Sequence, residues 1–558
     1  MAKPSAKTKF IFITGGVVSG LGKGITSASI GNILKARGFR VSMQKCDPYL
    51  NTDSGTLNPA EHGEVFVTHD GAETDLDLGH YERFIDIQLD QRSSLMSGRV
   101  LASVIENERA GKYLGKTVQI IPHVTAEIQD RLIEAGEGSD VHLVEIGGTV
   151  GDYESMAFAE AIRQMKRRLG AENILYVHLV YVPYLKTSKE LKTKPAQNSV
   201  RDLREVGIQP DVLCVRSDHE LSESAIEKLS LYCDVDARAV VPLMTLPTVY
   251  TVPLVMEEYG LGDYITERLF LPKKTPNFTN WQALVRKIEA PKPTVTVGIV
   301  AKYLANEDTY TSVVEAVKAA GWHHGVDAKI SWIDAEKIEE ASGSQPDTKG
   351  AEQLRAVDGL IVPGGFGSRG TEGKIKAAQY ARLEEVPYLG LCLGLHIAVI
   401  EFARNVAGLR AANSIELDPK TPHPVIDLMP DQRDVKLGGS MRLGDYPTRL
   451  GRKTHSYTAY GSDNITERHR HRYEFNNTYR EQLRKAGLVI AGTSPNRRLV
   501  EIIELPNHPF FVASQFHPEF LSRPNRPHPL FRDFIGAVVR SKVDTLSDTN
   551  QKAAITAT

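Results

Sequence analysis

Pro387-Tyr-Leu-Gly-Leu-Cys-Leu-Gly-Leu-His396 sets a cysteine between two glycines where an apolar strand meets an apolar helix. A side chain on such a turn is held out on a strained backbone. The free N–H groups of the helix start can lower a thiol pKa from about 8.5 and stabilise an anion. Gly390 and Gly394 relieve the crowding of the elbow. Val357-Asp-Gly-Leu-Ile-Val-Pro-Gly-Gly-Phe-Gly367 is a hydrophobic strand ending in a glycine-rich turn, where backbone N–H groups can converge on a developing oxyanion. Phe511-Val-Ala-Ser-Gln-Phe-His-Pro-Glu519 reads as a further strand that delivers His517, with Glu519 two residues on. Residues i and i+2 of a strand share a face, so Glu519 can orient His517 and His517 can take the thiol proton. Cys392, His517 and Glu519 thus form a nucleophile, base and orienter; the alternative is a buried cysteine in an ordinary strand-to-helix turn.

A second chemistry is written near the N-terminus. The apolar run Lys9–Thr14 reads as a buried parallel strand, and Gly15-Gly-Val-Val-Ser-Gly-Leu-Gly-Lys-Gly-Ile25 follows it. Thr26 to Arg37 then has helical spacing and stops at Gly38. Strand, glycine loop with lysine, and helix form a phosphate cradle in which loop N–H groups hold phosphates and Lys23 neutralises them. A strict phosphate loop has glycine five residues before Gly22 and Ser or Thr after the lysine, whereas Val17 and Gly24 stand here. Asp77 lies in a turn beside glycine, and Glu145 ends the apolar strand Val141–Glu145. Hard Mg²⁺ takes one or two carboxylates with phosphate oxygens, and strand C-termini of an open α/β sheet face one crevice. Lys192-Thr-Lys-Pro-Ala-Gln197 can hold phosphates or be a solvated loop. Arg468-His-Arg-His-Arg-Tyr473 reads as a metal tract, a basic face or a carboxylate clamp.

These groups need two α/β sheets to position them. The chain has 558 residues, too many for one core. It is 41% hydrophobic and 24% charged with 45 glycines, the composition of a soluble α/β enzyme rich in strand-to-helix turns. A net charge of −2 gives no global reason to expect a nucleic-acid or membrane partner, and none is expected. The four cysteines form no CxxC pair, no stretch reaches the roughly 20 apolar residues of a membrane span, and the N-terminus lacks a cleavage site. A cytoplasmic location is expected. The Pro- and Lys-rich stretch 273–293 reads as a linker with a short helix about Trp281 to Ile288, between domains at 1–272 and 294–540. The polar tail 541–558 is expected to be disordered. The expected fold is α/β, two doubly wound and mostly parallel sheets.

The cysteine, glycine loop and His-Pro-Glu set resemble a class I glutamine amidotransferase domain. Read together with Lys45-Cys-Asp-Pro-Tyr-Leu-Asn51, the DLDLGHYERF stretch, VEIGGTVGD and KTKPAQ, the chain from about residue 9 to about 540 is similar to the CTP synthase family. The resemblance implies ATP-dependent amination of UTP to CTP, the uracil 4-oxygen being phosphorylated and then displaced by ammonia from L-glutamine. It implies an ATP loop over Gly20, Leu21, Gly22, Lys23, Gly24 and Ile25, with Ser19 at the pyrimidine-nucleotide edge and Lys45 near the transferred phosphate. Mg²⁺ would be held by Asp77 and Glu145. UTP and feedback CTP would meet Asp152, Tyr153, Glu154, Lys192, Thr193, Lys194, Pro195, Ala196, Gln197 and Lys228. Glutamine would lie against Gly365, Leu393, Gly394, Leu395, His396, Glu416 and Arg472. GTP activation and a homotetramer are implied as well.

Three departures stand out: Leu395-His396 replaces the family's usual Met-Gln, the segment between Leu417 and Leu437 is short, and Ala301 precedes Lys302 where glycine is usual. His396, with an ordinary pKa of about 6.5, is expected to titrate in the glutamine pocket. Two alternatives stay open, a cobyrinate-type amide synthase acting on a carboxylate and a non-catalytic phosphate-loop scaffold.

Overall fold

The computed structural model describes residues 8–302, 304, 306–340, 349–428 and 441–556. Two compact units divide the chain: Met1–Thr56 with Thr74–Ile288, and Leu57–Glu73 with Glu289–Thr558.

In the first unit, β1 (Lys9–Gly15) feeds a glycine turn and α1 (Lys23–Ala36). There follow β2 (Val41–Asp47), α2 (Asp77–Ile85), β3 (Ser94–Met96), β4 (Val141–Ile146), β5 (Ile174–Tyr181), α3 (Lys194–Glu205), β6 (Val212–Ser217) and β7 (Val240–Met244). The seven strands lie in the order β7-β6-β5-β1-β4-β2-β3, and their pairings are parallel. β4 is buried along its whole length because helices cover both faces of such a sheet, so a near-continuous apolar run is what it needs. The register sets Lys45 of β2 beside Glu145 of β4, at the C-terminal edge. α4 (Thr279–Glu289) is the helix expected within 273–293; Trp281 packs on Phe84 and donates to the Tyr250 carbonyl at 2.7 Å. Most of it therefore belongs to this unit rather than to a free linker.

In the second unit, β8 (Thr294–Ala301), α5 (Thr311–His324), β9 (Asp327–Asp334), β10 (Gly359–Val362), α6 (Thr371–Leu383), β11 (Tyr388–Leu391) and α7 (Leu393–Asn405) alternate as the glycine-punctuated sequence requires. β12 (Arg442–Leu450), β13 (Asn464–His471), β14 (Val489–Thr493), β15 (Val500–Glu504), β16 (Phe511–Ser514) and α8 (Pro529–Thr556) follow. The nine strands run β9-β8-β10-β11-β16-β15-β14-β12-β13. β9 to β16 in that order pair in parallel, and the remaining four joins are antiparallel. The second sheet is thus mixed, half of it an antiparallel extension that carries the Arg468–His471 tract.

Two further features depart from the sequence reading. Residues 57–73, from the N-terminal half of the sequence, pack in the second unit: Glu64 caps the start of α5 through Ser312, Phe66 stacks edge-on against Phe520, and Arg468 donates to the Val67 carbonyl at 3.0 Å. The tail is also helical, since α8 continues to Thr556. A docked helix has already met the cost of nucleation, and Lys, Gln and Ala residues propagate it. Residues 429–440 of the short segment lie outside the described residues.

Candidate functional sites

At the elbow of the second unit Cys392 has φ 53 and ψ −100, an arrangement uncommon for a side chain larger than hydrogen. The flanking glycines are required by space. A methyl at Gly390 would lie 2.7 Å from the Gly394 carbonyl oxygen, and one at Gly394 would lie 2.2 Å from that of Val362. α7 begins at the next residue, so its first N–H groups sit beside the sulfur. In this arrangement the thiol donates to the Arg470 carbonyl at 3.7 Å.

His517 is not on a strand. β16 ends at Ser514, and His517 caps the short 3₁₀ turn Pro518–Leu521. The turn, rather than a shared strand face, brings Glu519 Oε1 to 2.7 Å from His517 Nδ1. Nδ1 therefore carries a proton, donated to the carboxylate, and Nε2 remains without a hydrogen-bond partner. Burial alone would lower the pKa of this imidazole, but Glu519 and the Cys392 sulfur outweigh it and raise the pKa. A methyl at Gly364 would fall 2.8 Å from His517 Cε1 and 3.7 Å from Cys392 Cβ, so the glycine loop runs past both groups.

That loop is tied down from its carbonyl side. Lys302, just beyond β8, donates to the carbonyls of Phe366 and Gly367, and Gly367 N–H donates to Glu416 Oε1 at 2.9 Å. Burial raises the pKa of Glu416, opposed by the Gly367 N–H, Lys302 and Arg472. Glu416 and Arg472, expected to hold glutamine, thus come within electrostatic reach of each other on one side of the loop that contains Gly365. His396 departs from expectation. It is buried, Nε2 donates to Gln515 Oε1 at 3.0 Å, and burial drives its pKa down to about 4. It is a neutral core imidazole at working pH, because a cation there would be stripped of water.

In the first unit Gly20 and Gly22 have φ of 70° and 97°, as a tight phosphate turn needs. Lys23 opens α1, and its Nζ rests on the Gly148 carbonyl at 2.7 Å. Gly24, in place of Ser or Thr, has a steric reason: a methyl there would lie 1.9 Å from Asp77 Oδ1. Lys45 donates to Asp77 and, at 3.0 Å, to Glu145, whose other oxygen accepts from Tyr81 at 2.6 Å and Ser27 at 3.0 Å. Burial would raise the pKa of Asp77, but Lys45 overrides it and holds it at about 2. Burial pushes Asp47 up to about 6 against the pull of Lys45, and its buried Oδ2 has no partner. Tyr81 and Ser27 each lie four residues beyond a named site residue, Asp77 and Lys23, on the same helix face, a signal present in the sequence. Lys302, Arg470 and Gln515 carry no such signal.

Among the described residues no group of three His, Cys, Asp or Glu side chains is arranged to hold a metal alone. Asp77 and Glu145 nevertheless fit Mg²⁺ carried by a nucleotide. They offer two buried hard oxygens within reach of one lysine, and the phosphates complete the set. Asp152, Tyr153 and Glu154 are exposed, whereas Lys192 bonds Glu190 and Lys228 acts on the same carboxylate. Thr193 is buried at the start of α3, which carries Lys194, Pro195, Ala196 and Gln197.

Two family models match the chain in succession. Residues 9–271 match the family model described as CTP synthase N-terminus, and residues 306–537 match glutamine amidotransferase class-I. A CTP synthase of Carboxydothermus hydrogenoformans is 57% identical over 96% of this chain and 99% of its own. Those of a Roseiflexus species and of Bacillus velezensis are 55% and 53% identical over 96% of this chain and 95% and 99% of theirs. Among the described residues no helix is long and apolar enough to cross a membrane.

Proposed function

The chain belongs to the CTP synthase family, glutamine-hydrolysing ligases that use ATP, and from that premise we infer how its own residues aminate UTP to CTP. Gly20 to Ile25 cradle the ATP phosphates, with Lys23 as the charge that holds them and Ser19 at the pyrimidine edge. Lys45, fixed between Asp77 and Glu145, offsets charge on the phosphoryl group as it passes to the uracil 4-oxygen. Mg²⁺, held by Asp77 and Glu145 with the phosphates, would supply further neutralisation. UTP, and CTP as feedback inhibitor, lie against Asp152–Glu154, Lys192–Gln197 and Lys228.

In the second unit the Cys392 sulfur attacks the glutamine side-chain amide, and His517, steadied by Glu519, delivers the proton that lets ammonia leave. Water hydrolyses the resulting glutamyl thioester to glutamate, with His517 as base. The loop N–H groups ahead of Gly367, whose own N–H is taken by Glu416, and those of Leu393 and Gly394 at the start of α7 face the oxyanion; Leu393 to His396, Glu416 and Arg472 frame the glutamine. Ammonia displaces phosphate from C4 and loses a proton to give CTP. Activation by GTP, assembly as a homotetramer and a cytoplasmic location belong to the same reading. The observation that carries it is the strained Cys392 elbow joined to the His517–Glu519 pair in one chain with the Lys23 cradle. The carboxylate-acceptor and scaffold alternatives are not favoured, since near-full-length relatives at 53–57% identity are CTP synthases.

Cys392→Ala tests the division. Glutamine-dependent CTP synthesis should fall by several orders of magnitude, while synthesis from ammonium, UTP and MgATP stays near the native rate. Loss of both activities in a folded protein, or of neither, overturns the assignment.

A further inference from the structure

Lys374 lies one turn into α6, which starts where the glycine loop after β10 ends. Its buried neighbours Thr371, Ala377, Ala378 and Ala381 are three, four or seven residues away, so it occupies the inward face of the helix. Its exposure is 0%, and its Nζ makes no hydrogen bond. An apolar side chain would fill such a place at no electrostatic cost, whereas an unpaired ammonium is costly to bury.

The acidic groups nearby on the packed elements are engaged elsewhere: Glu336 with Arg369, Glu401 with Arg382, and Glu372 with Arg404. The groups that act on Lys374 are Lys302, a second cation at this sheet edge, and the Cys392 sulfur. Lys302 already grips the Phe366 and Gly367 carbonyls. The loop is thus held by one desolvated lysine, Lys302, and runs into the helix that buries a second, Lys374, whose Nζ bonds nothing.

We infer that Lys374 is a further positioning residue of the glutaminase site, a buried cation whose field favours the negative charge formed at Cys392 and on the attacked amide. The inference rests on Cys392 being the nucleophile. Burial, and Lys302 after it, bring the Lys374 pKa down to about 7, and negative charge at Cys392 pulls it back up. By reciprocity a protonated Lys374 favours the thiolate.

Lys374→Met keeps length and bulk but removes the charge. In the full-length protein the pH midpoint for alkylation of Cys392 by uncharged iodoacetamide should rise by about one unit. Glutamine-dependent kcat/KM at pH 7 should fall about tenfold, with ammonia-dependent synthesis unchanged. Lys374→Arg, which restores the charge, should return the midpoint toward native. Cys392→Ala identifies the labelled thiol and checks the nucleophile separately: if it keeps glutamine-dependent synthesis, the reading of the site fails. A Lys374→Met midpoint equal to native overturns the inference about Lys374 alone. Should that variant fold poorly, Lys374→Gln is measured by the same midpoint with the same criterion.

Discussion

Gly24→Ala should raise helix stability and remove synthetase activity, two effects of opposite sign from one methyl group. Gly24 stands in the first turn of α1 and is not in the left-handed region, so alanine suits its backbone. Replacing a helical glycine by alanine stabilises by about 0.8–1 kcal/mol. The new methyl, however, would lie 1.9 Å from Asp77 Oδ1 and 2.8 Å from Asp77 Cγ. Ordinary contact needs the oxygen to retreat by about 1.5 Å. The carboxylate is the end of a side chain, so it can swing away without disturbing the fold, and in doing so it leaves Lys45. Misplacing a reacting group by about 1 Å costs about 10²-fold in rate, or about 2.7 kcal/mol of barrier. Ammonium-dependent CTP formation with UTP and MgATP, followed by absorbance, should therefore drop at least about 10²-fold. Glutamine hydrolysis by the second unit should persist, and the thermal midpoint should be unchanged or higher. A native rate in Gly24→Ala would refute the reasoning, as would a loss of rate that tracks a loss of stability.

Lys23→Ala should cut CTP formation from both nitrogen sources by at least about 10²-fold, measured at ordinary ATP levels, because the loop lysine is the proposed anchor of the phosphates. His396→Gln should leave the pH dependence of the glutamine KM unchanged between pH 6 and 9, since His396 is already neutral there; a shifted profile would show that it titrates. Acid should destabilise the first unit below pH about 6.5. His142 and His178 are buried with pKa values lowered to about 3, so the unfolded chain binds more protons and stability falls as pH drops. Each should contribute about 1.4 kcal/mol per pH unit between about pH 6 and 4, read by denaturant unfolding of the native protein against a His142→Asn variant.

How much of this was legible follows from what local sequence encodes. A strand-to-helix turn must relieve crowding at fixed positions, so Gly390, Cys392 and Gly394, and likewise Gly20, Gly22 and Lys23, declared their geometry within ten residues. Glu145 declared itself because a carboxylate ending a fully apolar strand needs partners. His517 and Glu519 were matched correctly for a reason that did not hold, since a 3₁₀ turn and not a strand makes their contact.

The sequence by itself determined which groups can act and that two α/β sheets present them, because periodicity and turn chemistry are properties of short segments. Tertiary structure alone decided the rest. His396 became inert because distant residues exclude water from it, and the pKa of an imidazole is set by that exclusion. Gly24 became necessary because Asp77, more than fifty residues away, approaches it. Residues 57–73 joined the second unit because Ser312, Arg468 and Phe520 supply their partners. Lys374 acquired its setting from burial in the folded chain, which strips its ammonium of water and brings the charges of Lys302 and Cys392 to bear on it.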